Sequence, residues 1–144
     1  MACPFFLPVG RLGSNGWNPA PRLPLGEAYG GSCQAPAGVA EAGGGPFEPP
    51  ESVQRDLCNC GYARQRCSHF PVDGAADAVR FSVTGYQEGR VTLVYILEKD
   101  HAPVEHGPLD PAREAREPLA SQARAFVESY LRQRAAGRSK SASA

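Results

Sequence analysis

The sequence predicts a small single α+β domain. A β-hairpin or small antiparallel sheet is expected to pack on a C-terminal amphipathic helix, behind a loop-rich first half that carries cysteines. Three observations lead to this fold class. Residues 78–98 alternate apolar and polar side chains, residues 118–136 repeat apolar side chains at helical spacing, and most of the 16 glycines and 14 prolines precede residue 75. A chain of 144 residues fits one domain.

Two runs in the second half have the pattern of β-strands. In the first run, AVRFSVT, every second residue is apolar, which is typical of a half-buried strand. The second run, RVTLVYILE, places four apolar side chains on one face, namely Val91, Leu93, Tyr95 and Leu97. The connection TGYQEGR contains two glycines and is short enough to predict an antiparallel hairpin with a five-residue loop.

The segment that follows, KDHAPVEHGPLDP, is predicted to be a loop. Its three prolines, at positions 103, 108 and 111, are expected to prevent a regular element. Two histidines and a carboxylate in this segment, His101, Glu105 and His106, could bind a metal or act as an acid–base pair. The alternative interpretation is that they are polar loop residues.

The last predicted element is a helix from Pro118 to about Ala136. One helical face collects the apolar residues Leu119, Ala123, Phe126, Val127, Tyr130 and Leu131. Gly137 is expected to end the helix, and residues 137–144 are predicted to form a disordered tail. We expect one core that contains Phe81, Val91, Leu93, Phe126 and Tyr130.

The first half divides into an extended arm and a cysteine loop. Residues 1–50 are a Pro/Gly-rich arm that carries Cys33, and residues 51–136 hold the cysteine loop together with the hairpin and helix. The arm has six large apolar residues: Phe5, Phe6, Leu7, Trp17, Leu23 and Leu25. We expect them to pack on the core; the alternative is that they form a docking surface for a protein partner. A short helix from about Pro50 to Cys58 should end before a left-handed residue at Gly61.

Four cysteines form the strongest candidate site. Cys33, Cys58, Cys60 and Cys67 are separated by 25, 2 and 7 residues. Thiolates are soft donors that suit zinc and iron–sulfur clusters. The chain lacks the paired knuckles of a zinc ribbon, so the irregular spacing favours an iron–sulfur cluster over zinc. His69, His101 and His106 are substitute ligands, and Cys3 is the least favoured cysteine because it lies near the chain end.

The functional prediction is a small metal-centre-binding protein that acts as a binding or electron-transfer module. Two alternatives stay open: a metal-free thiol redox protein or Cys/His enzyme, and a structural zinc domain for protein contact. A Cys58–Cys67 disulfide, or buried free cysteines, would remove the site altogether. The sequence has no GxGxxG after a strand, no phosphate-binding GK[ST] loop and no GxSxG, so no enzyme class is indicated.

Charge and hydropathy exclude several partners. The chain has 15 basic and 15 acidic residues, so it lacks the positive footprint of a nucleic-acid-binding domain. No apolar run approaches the roughly 18 residues of a membrane span. The first residues lack a basic region and contain Pro4 and Pro8, so they do not resemble a signal peptide. We therefore expect a cytoplasmic location, where clustered cysteines are more often metal ligands or redox groups than disulfides.

Overall fold

The computed structural model describes residues 2–12, 24–43 and 47–142, with side chains described up to residue 135. The strands are β1 (Phe6–Arg11), β2 (Tyr29–Cys33), β3 (Ala78–Gln87), β4 (Arg90–Lys99) and β5 (Ala102–Leu109). The helices are α1 (Pro36–Glu41), α2 (Glu51–Val53) and α3 (Leu119–Ala142), and α2 continues as a π-helical segment (Gln54–Cys58). Small antiparallel sheets together with a C-terminal helix confirm the α+β class.

The N-terminal arm is more regular than the sequence suggested. β1 and β2 form a two-stranded antiparallel sheet in which Phe6 lies opposite Cys33. Phe6 is 1% exposed and Leu25 is fully buried, so these residues pack in the core as expected. Trp17 and Leu23, which carried part of the same prediction, lie outside the described residues.

The predicted hairpin is confirmed, but its turn is tighter than expected. β3 and β4 stay paired up to Gln87 and Arg90, which leaves a loop of two residues instead of five. Both loop residues have positive φ, 53° for Glu88 and 80° for Gly89. These angles are those of a type I′ turn, which matches the right-handed twist of paired strands.

The prediction of a loop after β4 is wrong, because β5 pairs with β4 as the third strand of the sheet. The prolines at 103 and 108 are tolerated because β5 lies at the sheet edge, where one side of the strand needs no amide donors. A second two-residue turn precedes β5, with φ of 52° at Asp100 and 64° at His101. The prolines therefore indicated an edge strand.

Helix α3 begins one residue after Pro118, as predicted, but continues to Ala142. The predicted stop at Gly137 is therefore wrong, and residues 137–142 are helical. Glycine inside a helix costs about 1 kcal/mol relative to alanine, which is too little to end the helix by itself. The surrounding alanine, arginine and lysine residues favour the helix enough for it to continue past Gly137.

The core lies between the sheets and α3. Phe81 and Leu93 are buried, and Val91 and Phe126 are partly buried against them. The rings of Phe81 and Phe126 lie 5.5 Å apart. Tyr130, the fifth residue predicted for this core, packs beside Tyr86 with a ring separation of 6.2 Å.

Truncating Phe126 tests the packing of α3 on the sheet. Phe126→Ala should lower the free energy of unfolding by about 2 kcal/mol, below the 3–5 kcal/mol typical of a fully buried phenylalanine, because the ring is only partly buried. Val104→Ala is the matched control, since Val104 is 55% exposed and should change stability by at most about 0.5 kcal/mol. Urea denaturation measures both, and equal losses would contradict the packing.

Candidate functional site

Four cysteines from four separate segments line a single cavity. Cys3 precedes β1, Cys33 ends β2, Cys58 ends the π-helical segment, and Cys67 lies in the loop that follows. The cavity holds about 20 Å³, and a single water needs about 10–15 Å³. The other walls are apolar apart from one histidine, and they include Phe5, Phe6, Phe47, Phe70 and His69.

Cys3 is fixed by three contacts that the sequence did not reveal. Ala2 exchanges two backbone hydrogen bonds of 2.8 Å with Val79, which extends the sheet beyond β3. The Cys3 amide donates to the Cys58 carbonyl at 3.0 Å. The fully buried Gln122 on α3 donates to the Cys3 carbonyl at 2.8 Å. Ala2 and Cys3 are therefore part of the core, which the position of Cys3 in the sequence did not indicate.

Cys58 sits at the end of a widened helical turn. The Asn59 amide donates to the Gln54 carbonyl at 2.9 Å, five residues back, which defines the π-helical segment. Such segments recur at functional sites. The buried Asn59 side chain bonds the Tyr29 amide at 2.9 Å and the Tyr29 carbonyl at 2.8 Å, which ties the segment to β2. Gly61, with φ of 74°, is left-handed as predicted.

A backbone amide points at one of the cavity sulfurs. The Ala35 amide donates to the Cys33 sulfur at 3.4 Å. The Phe6 amide donates to the Cys3 carbonyl at 3.1 Å, and burial dominates the raised pKa of the Cys3 thiol. Amide donors of this kind stabilise a thiolate, and they tune metal centres bound through sulfur.

Cys67 is held by a loop that one arginine organises. The Cys67 amide donates to the Ala63 carbonyl at 2.8 Å. The neighbouring Arg64 bonds the Asp77 carboxylate at 2.7 Å and the Gly74 carbonyl at 2.8 Å. This arginine ties the start of the loop to its end before β3. No spacing rule in the sequence points to the pair, because Arg64 and Asp77 meet only through tertiary contact.

The lowered pKa of Asp77 makes its contribution to the stability of the protein depend on pH. Burial acts to raise the pKa, but the Asp100 amide and the Arg64 guanidinium outweigh it, so the pKa lies below its usual value. A carboxylate whose pKa is depressed on folding stabilises the protein above its unfolded pKa, about 3.9, and that contribution is lost as the pH falls through the folded pKa.

We expect the difference in unfolding free energy between the wild type and Asp77→Asn to narrow as the pH falls from about 5 to about 2. Asp73→Asn, in the same loop but exposed, is the control and should behave as the wild type throughout. Denaturant titrations at each pH measure the difference. A gap for Asp77→Asn that stays constant over this range would refute the role assigned to the carboxylate.

The cavity thiols are close enough to influence one another. Burial, with smaller contributions from Cys33 and Cys67, raises the pKa of Cys3 to about 12. The pKa of Cys58 is raised first by burial and then by its proximity to Cys3, Cys33 and Cys67. Burial also raises the pKa of Cys33. Reactive cysteines have lowered pKa values beside cations, so Cys3, Cys33 and Cys58 lack the setting of an activated nucleophile.

The remaining predicted ligands lie elsewhere, apart from His69. Cys60 does not line the cavity, and its thiol donates to the Arg55 carbonyl at 3.4 Å. His101 stacks on Tyr62 at 4.3 Å. His106 and Glu105 are neighbours on β5 and therefore point to opposite faces of the sheet. His101, Glu105 and His106 therefore do not converge on one site in the structure.

The cavity thiols are not drawn together in a metal-binding geometry. Within residues 2–12, 24–43 and 47–142, no group of three or more His, Cys, Asp or Glu side chains could hold a metal ion as placed. All five cysteines fall in these ranges, and each is a free thiol. Metal binding would therefore require the side chains around the cavity to adjust.

These features define a class, a small α+β protein with a buried cavity walled by four cysteines and several phenylalanines. No family model matches the chain, and no curated protein or solved structure matches it at a significant level. In the part of the chain that the structure describes, no helix is both long and apolar enough to cross a membrane.

Proposed function

We propose that this protein binds a metal centre, an iron–sulfur cluster in preference to zinc, and acts as a binding or electron-transfer module. The proposed ligands are Cys3, Cys33, Cys58 and Cys67. The observation that carries the proposal is the convergence of these four cysteines, from four segments, on one largely buried apolar cavity. Cys3 takes the place that the sequence alone assigned to Cys60.

The chemistry of the walls supports this ligand set. Four thiolates complete the coordination of an iron–sulfur cluster without any carboxylate or imidazole. The Ala35 amide, which donates to the Cys33 sulfur, would stabilise negative charge there. The surrounding phenylalanines would keep water away from the centre, which tunes its potential. Zinc is the alternative, since four cysteines also satisfy it, but none of the proposed ligands are paired in a two-residue knuckle.

A metal-free thiol enzyme has less support. Burial raises the pKa of Cys3, Cys33 and Cys58, so these groups carry protons at neutral pH. A metal ligand does not need a low pKa of its own, because a coordinating thiol is deprotonated outright.

Loading the centre should be coupled to ordering of the first half. The cavity is smaller than a cluster, so the thiols and rings must move apart as the cluster is built between them. Three of the four ligands come from segments before or at the end of the π-helical turn, so binding would tie these segments together. The proposed location is the cytoplasm, where free thiols persist.

Metal analysis of protein purified without oxygen tests the proposal. We expect iron and acid-labile sulfide in equal amounts, about four of each per chain for a cubane, with a brown colour. About one equivalent of zinc without sulfide would favour a zinc site over an iron–sulfur cluster. Less than about 0.2 equivalents of both iron and zinc would refute a metal centre.

A further inference from the structure

Cys3 and Cys58 are joined through their backbones as well as by the cavity that they share. The Cys3 amide donates to the Cys58 carbonyl at 3.0 Å. A hydrogen bond of this length keeps the Cα atoms of the two residues within roughly 7 Å of each other, and disulfide-linked residues have Cα separations of about 4.4–6.8 Å. Both side chains line the cavity. The pair therefore lies within the reach of a disulfide.

The effect of Cys3 on the Cys58 thiol supports this proximity. Burial is the main cause of the raised pKa of Cys58, and among the three cysteines that add to it Cys3 has the largest effect, ahead of Cys33 and Cys67. Cys3 and Cys58 are free thiols that are each 7% exposed, and Cys67 is more accessible. Accessibility alone would therefore favour bonds to Cys67, whereas the backbone contact favours the buried pair.

Neighbouring elements hold the backbone on both sides of the pair. Gln122 on α3 donates to the Cys3 carbonyl at 2.8 Å. Asn59, which follows Cys58, is 1% exposed, and its side-chain amide donates to the Tyr29 carbonyl at 2.8 Å. Because the two backbones are already close and fixed, a bond between the sulfurs requires rotation of the side chains and no movement of the chain.

From this arrangement we infer that Cys3 and Cys58 are a redox modification site, at which hydrogen peroxide converts the two thiols into a disulfide. One thiol attacks the peroxide, the O–O bond breaks, and a sulfenic acid and one water are formed. The second thiol attacks the sulfenic sulfur, the S–S bond forms, and a second water leaves. The two sulfurs together lose two electrons, which the peroxide gains, and a reducing dithiol reverses the change.

The disulfide closes a loop that contains β1, β2 and α1, because its two residues lie before β1 and at the end of the π-helical segment. Closing such a loop restricts the unfolded chain and stabilises the fold. The bond also uses two of the four thiols proposed as metal ligands, so oxidation and metal loading exclude each other. This last consequence rests on the proposed function, whereas the disulfide itself does not.

Peptide mapping of the peroxide-treated protein tests the inference. The whole chain is purified with a reductant and a chelator, desalted, treated with hydrogen peroxide, blocked with N-ethylmaleimide and digested with trypsin. We expect peptides 1–11 and 56–64 to be linked, and the link to disappear on addition of dithiothreitol. Cleavage after arginine separates the cavity cysteines: Cys3 lies in peptide 1–11, Cys33 in 23–55, Cys58 with Cys60 in 56–64, and Cys67 in 67–80.

Serine variants identify the partner of Cys3. Cys60→Ser is the matched control for Cys58→Ser, because the two cysteines lie in the same tryptic peptide, and only Cys58→Ser should abolish the link to peptide 1–11. Cys67→Ser should leave the link in place. A link that survives Cys58→Ser would overturn the inference. So would a wild-type map in which every linked pair includes peptide 67–80, or one without any linked peptides, and this map does not depend on a variant that folds.

Iron uptake separates this inference from the proposed function. Reduced and peroxide-treated wild-type protein are supplied with iron and sulfide without oxygen. The oxidised form should retain at least about tenfold less iron, because loss of two ligands weakens binding by more than loss of an outer partner. Equal iron in both forms would contradict the exclusion of metal by the disulfide. A reduced form that binds no iron would refute the proposed function, and the peptide map would still decide whether the disulfide forms.

Discussion

Cys3→Ala is expected to remove the proposed iron centre, whereas Cys60→Ala should leave it in place. Cys3 lines the cavity and its backbone is bonded to that of Cys58. Cys60 lies two residues from Cys58, but its thiol donates to the Arg55 carbonyl outside the cavity. Loss of one of four ligands should weaken metal binding by more than the roughly 10–100-fold that loss of an outer partner causes, so little iron should co-purify with the Cys3 variant.

The two variants form a pair in which the same chemical change is made at two cysteines. Iron and sulfide are measured after anaerobic purification, and circular dichroism checks that each variant is folded. If Cys60→Ala loses the iron and Cys3→Ala retains it, the ligand set that the sequence suggested would be right and the cavity would not be the site. If both variants retain full iron, neither set is correct.

Phe6→Ala should be among the most destabilising single changes in the first half of the chain. Phe6 is 1% exposed, lines the cavity, and lies opposite Cys33 in the sheet. Its carbonyl accepts a hydrogen bond of 2.7 Å from Gln122, so the ring and backbone join β1 to α3. Removing the ring should cost about 3–5 kcal/mol of unfolding free energy.

Val9→Ala, on the same strand, provides the control for Phe6→Ala. Val9 is 78% exposed, so its truncation should change stability by at most about 0.5 kcal/mol. Thermal or urea unfolding of the two variants measures the difference. A cost below about 1 kcal/mol for Phe6→Ala would mean that the arm does not pack on the core as described.

The sequence predicted the elements that repeat a simple period. The alternation in β3 and β4 and the helical face of α3 were visible because the buried residues recur every second or every third to fourth position. The sequence did not predict β5, because prolines usually interrupt regular elements, although they are compatible with an edge strand. The small sheet of β1 and β2 was missed because glycine and proline concealed any alternation.

The site was predicted only in part, for a related reason. Cys33, Cys58 and Cys67 were candidates from residue type alone, and the structure brings them to one cavity. Cys3 was ranked last because its place depends on pairing of Ala2 with Val79 and on Gln122, which is 119 residues away. Contacts between residues so far apart in the chain leave no local pattern in the sequence. The proximity of Cys60 to Cys58 in sequence suggested a shared site that the π-helical turn does not create.

X-ray absorption at the iron edge of the anaerobically purified protein tests the central claim most directly, namely that the four cavity cysteines hold an iron–sulfur cluster. The predicted spectrum has only sulfur in the first coordination shell, together with a second shell of iron from the neighbouring metal atoms of the cluster. Nitrogen or oxygen neighbours in place of sulfur, or the absence of an iron–iron contribution, would contradict a cluster held by Cys3, Cys33, Cys58 and Cys67.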